Sequence, residues 1–356
     1  MKETLRSTIA GCFMAAPFAL AAPASADVGS YYAGKTIQLM IGYSAGGGYD
    51  AYARAFSRHM VKYIPGNPII VTQNMPGAGS RTAANWLYNV APKDGTALAM
   101  VGQNTPLDQA LGEKGIQFDS AKFNWIGNPI VDNNYTIAWA ASGIDTIEDA
   151  IKKGGLICGG SGATSPSILY PQILNNLLNA NIRIISGYPG GNAVNLAMER
   201  GEVNCRGSNS WSSTKATLPH LLQEKKLRFL VEWGVDPEPE VAEYMGRTVP
   251  LVSDLAANED DRRALELIAS GVAMGRPIVA PPEMPVDRVQ ALRQAFDRTL
   301  KDPEFIAEAE KLNLDIKPLS GERIQKIATQ TVSAPQSVIA RAKELIRPGK
   351  TEKAKQ

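Results

Sequence analysis

A strand, a glycine-rich loop and a helix follow one another at residues 36–63, and this arrangement constrains the fold more than any other part of the chain. Residues 36–42 form an apolar run typical of a buried strand, and a helix is predicted at 51–63. The loop between them contains three consecutive glycines at 46–48. Such a loop exposes unpaired backbone N–H groups beside the positive end of a helix dipole, which predicts an anion site.

Short apolar runs alternate with amphipathic segments before Pro250, a pattern typical of an α/β fold with mostly parallel strands. Beyond Pro250 the chain is predicted to be helical, apart from a strand near residues 277–280. One helix is predicted to run without a break over 213–224. The other strands are predicted at residues 36–42, 69–73, 97–101, 136–140, 156–159, 182–186, 203–206 and 227–231.

Three further glycine loops, at residues 75–80, 159–166 and 187–192, also end a predicted strand and begin a helix. Ligands of open α/β sheets bind at the carboxyl ends of the strands. The loops fall in an early and a middle region of the chain. They therefore predict two lobes that face one another across a cleft.

Composition excludes several classes of function. The net charge of +2 on 356 residues argues against nucleic acid as a partner. Only two histidines are present, His59 and His220, and this number is too small for most histidine-based metal sites or proton relays. The first loop matches neither the P-loop nor the dinucleotide fingerprint. We expect no metal and no cofactor.

The first 26 residues are typical of a secretory signal, which predicts a soluble periplasmic protein. Lys2 and Arg6 supply the basic start, residues 9–22 the apolar stretch, and residues 24–26 a small-residue cleavage site. A lipoprotein acylation box ending at Cys12 is the alternative. It fits less well, because almost no apolar segment precedes that cysteine.

Cleavage would leave two cysteines, Cys158 and Cys205, each near the end of a predicted strand. In an oxidising compartment they can form a disulfide if their strands are neighbours, because the Cα atoms must lie within about 7 Å. Otherwise they are two buried thiols. The sequence leaves both possibilities open.

Residues 42–46 match the G-x-S-x-G nucleophile elbow, which makes an exported serine hydrolase an alternative function. Ser44 would be the nucleophile and His220 the base. Only one strand can precede Ser44 in the mature chain, whereas a hydrolase places several strands before its elbow. In addition, His220 lies in a helix-like run typical of a structural, partly exposed histidine.

Several side chains near the loops are candidates for structural or binding roles. Asp50 is interpreted as the N-cap of the helix that follows the first loop. Arg206 follows a predicted strand, so it either reaches the cleft and pairs with a carboxylate or is a solvated charge. The aromatic residues beside the loops are candidate ligand walls, although surface packing is the simpler interpretation for each one: Tyr43, Tyr49, Tyr188 and Trp211.

Motifs spaced along the mature chain resemble those of the periplasmic solute receptors of the tripartite tricarboxylate transporter family, the TctC or Bug type. These motifs are the first loop with its aspartate, Asn-Met-Pro-Gly-Ala-Gly at 74–79, Ala-Pro-Lys-Asp-Gly-Thr-Ala-Leu at 91–98, the glycine-serine loop at 159–165, the Gly-Tyr-Pro-Gly loop at 187–190, and Arg-Gly-Glu-Val at 200–203. The chain departs from the family pattern at Ser44, Ala45, Ile168 and Ser208, and it carries an insert at about 236–261.

The resemblance implies a two-lobed type II periplasmic-binding-protein fold, with two doubly wound mixed sheets joined by a hinge that the chain crosses twice. Lobe one would comprise residues 27–131 and 251–346, lobe two residues 132–250, and residues 347–356 a polar tail. It implies no enzymatic activity. A receptor that reports to a signalling partner is a further alternative.

The resemblance also implies capture of a small organic acid, a class that comprises mono-, di- and tricarboxylates and includes aromatic acids. The expected partners are integral membrane permease subunits, and the receptor itself is expected to be a monomer. Backbone N–H groups of the first and third loops would hold the carboxylate. The expected ligand-binding residues are Tyr43, Ser44, Ala45, Gly46, Gly47, Gly48, Tyr49, Gln103, Ser161, Thr164, Ser165, Tyr188, Asn192, Arg206 and Asn209.

Overall fold

The computed structural model of the protein describes residues 28–162, 165–234 and 236–348. The predicted signal segment with its cleavage site, Thr164, and most of the predicted polar tail lie outside the described residues. Across the described ranges, no helix combines the length and the apolar character that a membrane span requires.

Two mixed sheets organise the described part of the chain, and their strands are numbered here in chain order. The first sheet contains β1 (Thr36–Ile41), β2 (Ile69–Asn74), β3 (Ala97–Met100), β4 (Asn124–Asn128), β10 (Ile278–Ala280) and β11 (Leu319–Ser320). The second contains β5 (Asn134–Trp139), β6 (Ile157–Gly159), β7 (Arg183–Ile185), β8 (Cys205–Ser210) and β9 (Leu227–Trp233). Their strand orders are β11-β4-β10-β3-β1-β2 and β7-β6-β8-β5-β9.

Helices connect and cover these strands. Before β9 they are α1 (Val28–Tyr32), α2 (Gly48–Met60), α3 (Arg81–Asn89), α4 (Thr105–Ala110), α5 (Ile147–Lys153), α6 (Pro166–Leu178), α7 (Gly191–Glu199), α8 (Trp211–Thr217) and α9 (Pro219–Gln223). After β9 they are α10 (Pro239–Met245), α11 (Glu259–Met274), α12 (Val286–Thr299), α13 (Pro303–Lys311), α14 (Gly321–Val332) and α15 (Gln336–Leu345).

Each sheet is covered by helices on both faces, and strands such as β1, β3 and β9 are accordingly rich in apolar residues. One face of the first sheet packs on α2 and α12, with Phe56 and Phe296 stacked 4.9 Å apart between ring centroids. Its other face packs on α3 and α14. The core of the second sheet includes α6 and also reaches α11 and α15, which lie late in the chain. The late helices therefore contact both halves of the molecule.

The chain passes between the sheets after β4, at residues 129–133, and returns after β9. Together with the strand orders, this confirms the predicted fold class of two mixed sheets joined by a double crossing. Because neighbouring strands in β1–β2 and in β6–β7 run parallel, the predicted glycine loops after these strands open at the sheet edges that face the cleft.

Some predicted elements were wrong in detail. The helix predicted at 213–224 is two helices, α8 and α9, because Pro219 cannot continue the first one and instead begins the second. The strand β4 was not predicted, since its Asn-Trp-Ile-Gly-Asn sequence lacks a β-strand pattern. Its neighbours β10 and β11 supply the pairing on both sides.

Asp50 is not the N-cap of α2, contrary to the prediction. The N-cap is Gly47, and Asp50 lies in the first turn, from which it reaches back into the glycine loop. Its carboxylate accepts hydrogen bonds from the backbone N–H of Gly46 at 3.0 Å, from Arg54 at 2.9 Å and from Asn74 at 2.9 Å. Burial alone would raise the pKa of Asp50, but these hydrogen bonds outweigh it and hold the pKa below its usual range.

Cys158 and Cys205 form a disulfide, which settles the alternative that the sequence left open. They are directly paired residues on β6 and β8, with their Cα atoms 4.2 Å apart. Parallel pairing of the two strands brings the Cα atoms of these cysteines, which are far apart in the sequence, close enough for a disulfide bond.

Removal of this disulfide is expected to lower the stability of the folded protein. The bond closes a loop of 47 residues, which corresponds to about 4 kcal/mol of chain entropy in the unfolded state. We expect the double variant Cys158→Ala/Cys205→Ala to unfold at a lower urea concentration than the wild type, and the reduced wild type to match it. Equal midpoints for the variant and the oxidised wild type would contradict the disulfide.

Asp50→Asn is expected to cost about 1–2 kcal/mol at pH 7, because it removes the charge-assisted hydrogen bond to Arg54. Since the folded-state pKa of Asp50 is depressed, its contribution is complete above about pH 4 and is lost as the pH falls below that value. Urea unfolding at pH 7 and pH 3 measures both effects. The difference between variant and wild type should shrink at pH 3, while the exposed Asp260→Asn serves as a matched control.

Candidate functional site

A cavity of about 90 Å³ lies between the two sheets, at the edges where their glycine loops open. Both halves of the molecule contribute to its walls. The side of the first sheet supplies Tyr43, Gly47, Gly48, Tyr49, Gln103, Gly275 and Arg276. The crossing segment and the second sheet supply Asp132, Asn134, Ser161, Ser165, Pro166, Ser167, Gly190, Gly191, Val194, Arg206, Ser208, Asn209, Ser210 and Ser213.

The cavity brings together many of the predicted site residues. Those that line it are Tyr43, Gly47, Gly48, Tyr49, Gln103, Ser161, Ser165, Arg206 and Asn209. Those that lie outside its lining are Ser44, Ala45, Gly46, Tyr188 and Asn192. The position of Thr164 falls outside the described residues. That any of these residues contacts a ligand remains a prediction.

The tip of the first loop meets the second half of the molecule instead of lining the cavity. A Cβ atom added to Gly190 would lie only 2.3 Å from Ser44 Oγ, and one added to Gly46 would lie 3.1 Å from Asn192 Nδ2. In the third glycine loop, a Cβ on Gly162 would lie 2.0 Å from the backbone nitrogen of Gly79 in the second loop. We call these three contacts between loops of the two halves the lips of the cleft.

The arrangement around Ser44 does not support a hydrolase. Its Oγ is buried and has no hydrogen-bond partner among the described residues. His220, the base of the alternative interpretation, has its side chain half exposed, and its Nε2 lies 3.4 Å from Glu199. No described base contacts the hydroxyl group, as nucleophilic activation of a serine requires.

The first turns of three helices converge on the cavity. Gly48, Pro166 and Gly191 are the first residues of α2, α6 and α7, and each of them lines the cavity wall. Helix N-termini carry unpaired N–H groups and a partial positive charge. The backbone therefore favours an anion here before any side chain is considered.

Arg206 lines the cavity, which answers whether it reaches the cleft. Its Nε donates to the backbone oxygen of Ser208 at 3.0 Å, and its Nη1 donates to Asn195. Burial, together with the nearby charge of Arg276, lowers the pKa of Arg206 to about 9. Because arginine stays protonated in proteins, the lowered pKa indicates a positive charge without sufficient compensation.

Arg276 is a second cavity arginine, which the sequence interpretation missed. It follows α11 and is only 4% exposed. Its Nη2 donates to Ser210 Oγ and to Ser213 Oγ, both at 2.6 Å, and its Nη1 lies 3.6 Å from Asp132 Oδ2. The only signal in the sequence was its position next to a short predicted strand in an otherwise helical segment.

The charged side chains in the lining leave the cavity net positive. Arg206 and Arg276 face a single carboxylate, that of Asp132. That carboxylate is already engaged, because it accepts hydrogen bonds from the backbone N–H and the hydroxyl group of Ser212. Together with the three helix N-termini, the arginines make this cavity suited to an anionic ligand.

Two tyrosines and two amides shape the wall beside these charges. The rings of Tyr43 and Tyr49 lie 4.5 Å apart, and Tyr49 OH donates to the Gly275 oxygen at 3.0 Å. Burial raises the pKa of Tyr49 to about 12, so this hydroxyl stays protonated as a donor. Gln103 accepts from Asn134 at 3.4 Å, a neighbour that the sequence interpretation did not single out.

One group of potential metal ligands occurs among the described residues, away from the cavity, at His59, Asp302 and Glu304. Lys62 Nζ donates to Asp302 at 3.1 Å and to Glu304 at 2.5 Å. The ammonium group thus supplies the positive charge between these carboxylates. Nothing in this cluster calls for a metal ion.

No protein-family model matches the chain. A curated relative, the UPF0065 protein in gbd 5'region of Cupriavidus necator, is 27% identical over 322 residues, which cover 86% of each chain. Similar solved structures include the periplasmic binding protein BugD, with a TM-score of 0.68, 18% identity, and coverage of 88% of this chain and 98% of BugD.

Two further similar structures are of proteins solved with a small organic acid. Rpa4515 of R. palustris with adipate has a TM-score of 0.67 at 15% identity and covers 86% of this chain and 97% of its own. MatC from Rhodopseudomonas palustris with bound malate has a TM-score of 0.65 at 19% identity, and the match covers 88% of this chain and 99% of MatC. The resemblance seen in the sequence is confirmed: over most of its length the chain has the fold of the TctC- and Bug-type periplasmic binding proteins.

Proposed function

We propose that this protein is a periplasmic solute-binding receptor that captures a small organic carboxylate in the cavity between its two sheets. The observation that carries the proposal is the excess positive charge of the cavity, where Arg206 and Arg276 meet a single engaged carboxylate. The relatives with adipate and malate support the same ligand class, because their fold is shared.

The size and shape of the cavity favour an acid of a few carbon atoms. Its volume of about 90 Å³ is well below the roughly 300–1,000 Å³ of sites for drug-sized ligands. The convergent N–H groups of α2, α6 and α7 would hold carboxylate oxygens, with the arginines as counter-charges. Tyr43 and Tyr49 would border the carbon skeleton.

Capture in this proposal follows from contacts with both halves of the molecule. A ligand that touches Gly48 on one side and Arg206 on the other stabilises the arrangement in which both are close. The cleft would then close around it in the manner of a Venus flytrap, with lobes at 27–131 plus 251–346 and at 132–250. The crossing at 129–133 would act as part of the hinge.

Export and delivery complete the proposal. The signal segment at 1–26 would direct the chain to the periplasm, and the closed receptor, as a monomer, would dock on the permease subunits of a tripartite tricarboxylate-type transporter. A disulfide between Cys158 and Cys205 fits an oxidising compartment. A growth test of a deletion strain on the identified acid would separate transport from a signalling role.

A thermal-shift screen tests the ligand class. We expect at least one of acetate, succinate, malate, adipate, citrate and benzoate to raise the melting temperature, since ligand at 100 times its dissociation constant adds about 2.7 kcal/mol. Arg206→Gln should reduce this shift, because it removes one of the two cavity counter-charges. If none of the six acids stabilises the wild type, the carboxylate proposal is wrong.

Gly162→Ala is expected to weaken binding of the best acid by at least about tenfold without changing the melting temperature of the ligand-free protein. Its Cβ would strike the backbone of Gly79 only when the lips of the cleft meet. Isothermal titration calorimetry and ligand-free melting curves measure the two quantities.

Gly160→Ala is the matched control for this prediction. Its added Cβ would lie 2.3 Å from Ile168, which belongs to the same half of the molecule. The steric clash would therefore destabilise the open and the closed protein equally. It should lower the melting temperature and leave affinity nearly unchanged. The opposite pattern in the two variants would show that the lips do not govern binding.

A further inference from the structure

Arg276 spans the cleft between the two halves of the molecule. Its backbone N–H donates to Asn128 Oδ1 at 2.9 Å, which fixes it beside the last residue of β4 in the first sheet. Its side chain reaches the other half, where Ser210 and Ser213 accept from its Nη2. Ser210 is the last residue of β8 and caps α8. One residue thus links the ends of two strands in different sheets, through its backbone on one side and its guanidinium on the other.

Part of this guanidinium lacks a protein partner. Arg276 lines the cavity and is almost fully buried, yet its Nε has no hydrogen-bond partner among the described residues. Its Nη1 lies 3.6 Å from Asp132, which is longer than a hydrogen bond. A buried charged donor without an acceptor is unfavourable, so a ligand acceptor at this edge would be strongly favoured.

Besides Asp132, the charge of Arg276 meets only the faces of two aromatic rings among the described residues. The ring centroids of Tyr52 and Tyr49 lie 4.5 Å and 5.7 Å from the guanidinium carbon and offer cation–π contact. The other cavity arginine, Arg206, repels the positive charge of Arg276. Without an anion, the closed arrangement brings two cations together around one engaged carboxylate.

We propose that Arg276 is the clasp of the cleft: an anionic group in the cavity accepts a hydrogen bond from its Nε edge while its Nη2 remains bonded to Ser210 and Ser213. Anion binding and contact between the two halves then depend on the same guanidinium. Closure without the anion is disfavoured by charge repulsion, and closure with it completes the hydrogen bonds of Arg276. This inference rests on the proposed carboxylate-binding function.

Arg276→Gln tests the clasp, with the acid from the screen of six that stabilises the wild type most as the probe. We expect about 100-fold weaker binding by calorimetry, because a buried charge partner is lost. We also expect the radius of gyration, from small-angle X-ray scattering, to show no contraction at saturating acid, whereas the wild type contracts. The control variant Arg288→Gln removes a partly buried arginine that packs on Tyr31 outside the cavity lining, and it should bind the acid and contract as the wild type does.

Two companion variants separate the clasp from simpler roles. Ser213→Ala keeps the charge of the cavity but removes one acceptor of Nη2, and we expect at least about threefold weaker binding. A counter-ion that merely attracts the ligand would leave this variant unchanged. The double variant Arg276→Gln/Asp132→Asn removes one positive and one negative charge, so it keeps the net charge of the wild-type cavity. We expect its melting temperature to return towards that of the wild type, because the loss of stability comes from the charge imbalance. Its affinity for the acid should stay low, because the guanidinium is still missing.

The outcomes distinguish this inference from the proposed function. If no acid binds the wild type, both are overturned. If an acid binds the wild type and Arg276→Gln binds it within about threefold and contracts normally, the clasp alone is wrong. If Arg276→Gln does not fold, Arg276→Lys and Ser213→Ala test the inference instead. Tight binding and full contraction in both of these variants would show that Arg276 is not the clasp.

Discussion

Parallel pairing of neighbouring strands is the constraint on which the rest of the cleft depends. Because β1 pairs in parallel with β2 and β3, and β6 with β7 and β8, their carboxyl ends meet at one edge of each sheet. The helices that follow begin at those edges, so their N-termini converge whatever side chains surround them. The two arginines then add charge to a place that the backbone has already made favourable for anions.

Electrostatic imbalance, more than shape, distinguishes this cavity from the protein interior around it. Buried carboxylates outside the cavity include Asp50, which is paired with Arg54, and Asp261, which is paired with Arg341. Inside the cavity, Arg206 and Arg276 outnumber the carboxylates. A folded protein tolerates such an imbalance at a cost in stability, and sites of that kind are where ligands act.

The sequence predicted the fold class and the order of most elements, because strand periodicity and glycine loops are local signals. It also placed Tyr43, Tyr49 and Arg206 near the loops that border the cavity. It could not predict Arg276, whose partners Ser210 and Ser213 are distant in sequence and meet it only through the tertiary fold. Asp50 was misassigned as the N-cap because the helix begins at Gly48, three residues earlier than the apolar pattern indicates.

The disulfide has a mechanical consequence for any motion of the cleft. Cys158 lies next to the loop that carries Ser161, and Cys205 is adjacent to Arg206, so the bond ties two parts of the same cavity wall. That wall is covalently braced and is expected to move as a single rigid block. In the proposed opening of the cleft, displacement would then concentrate in the unbraced crossings, at residues 129–133 and in the chain after β9. The spacing between Ser161 and Arg206 would be the same in the open and the closed protein.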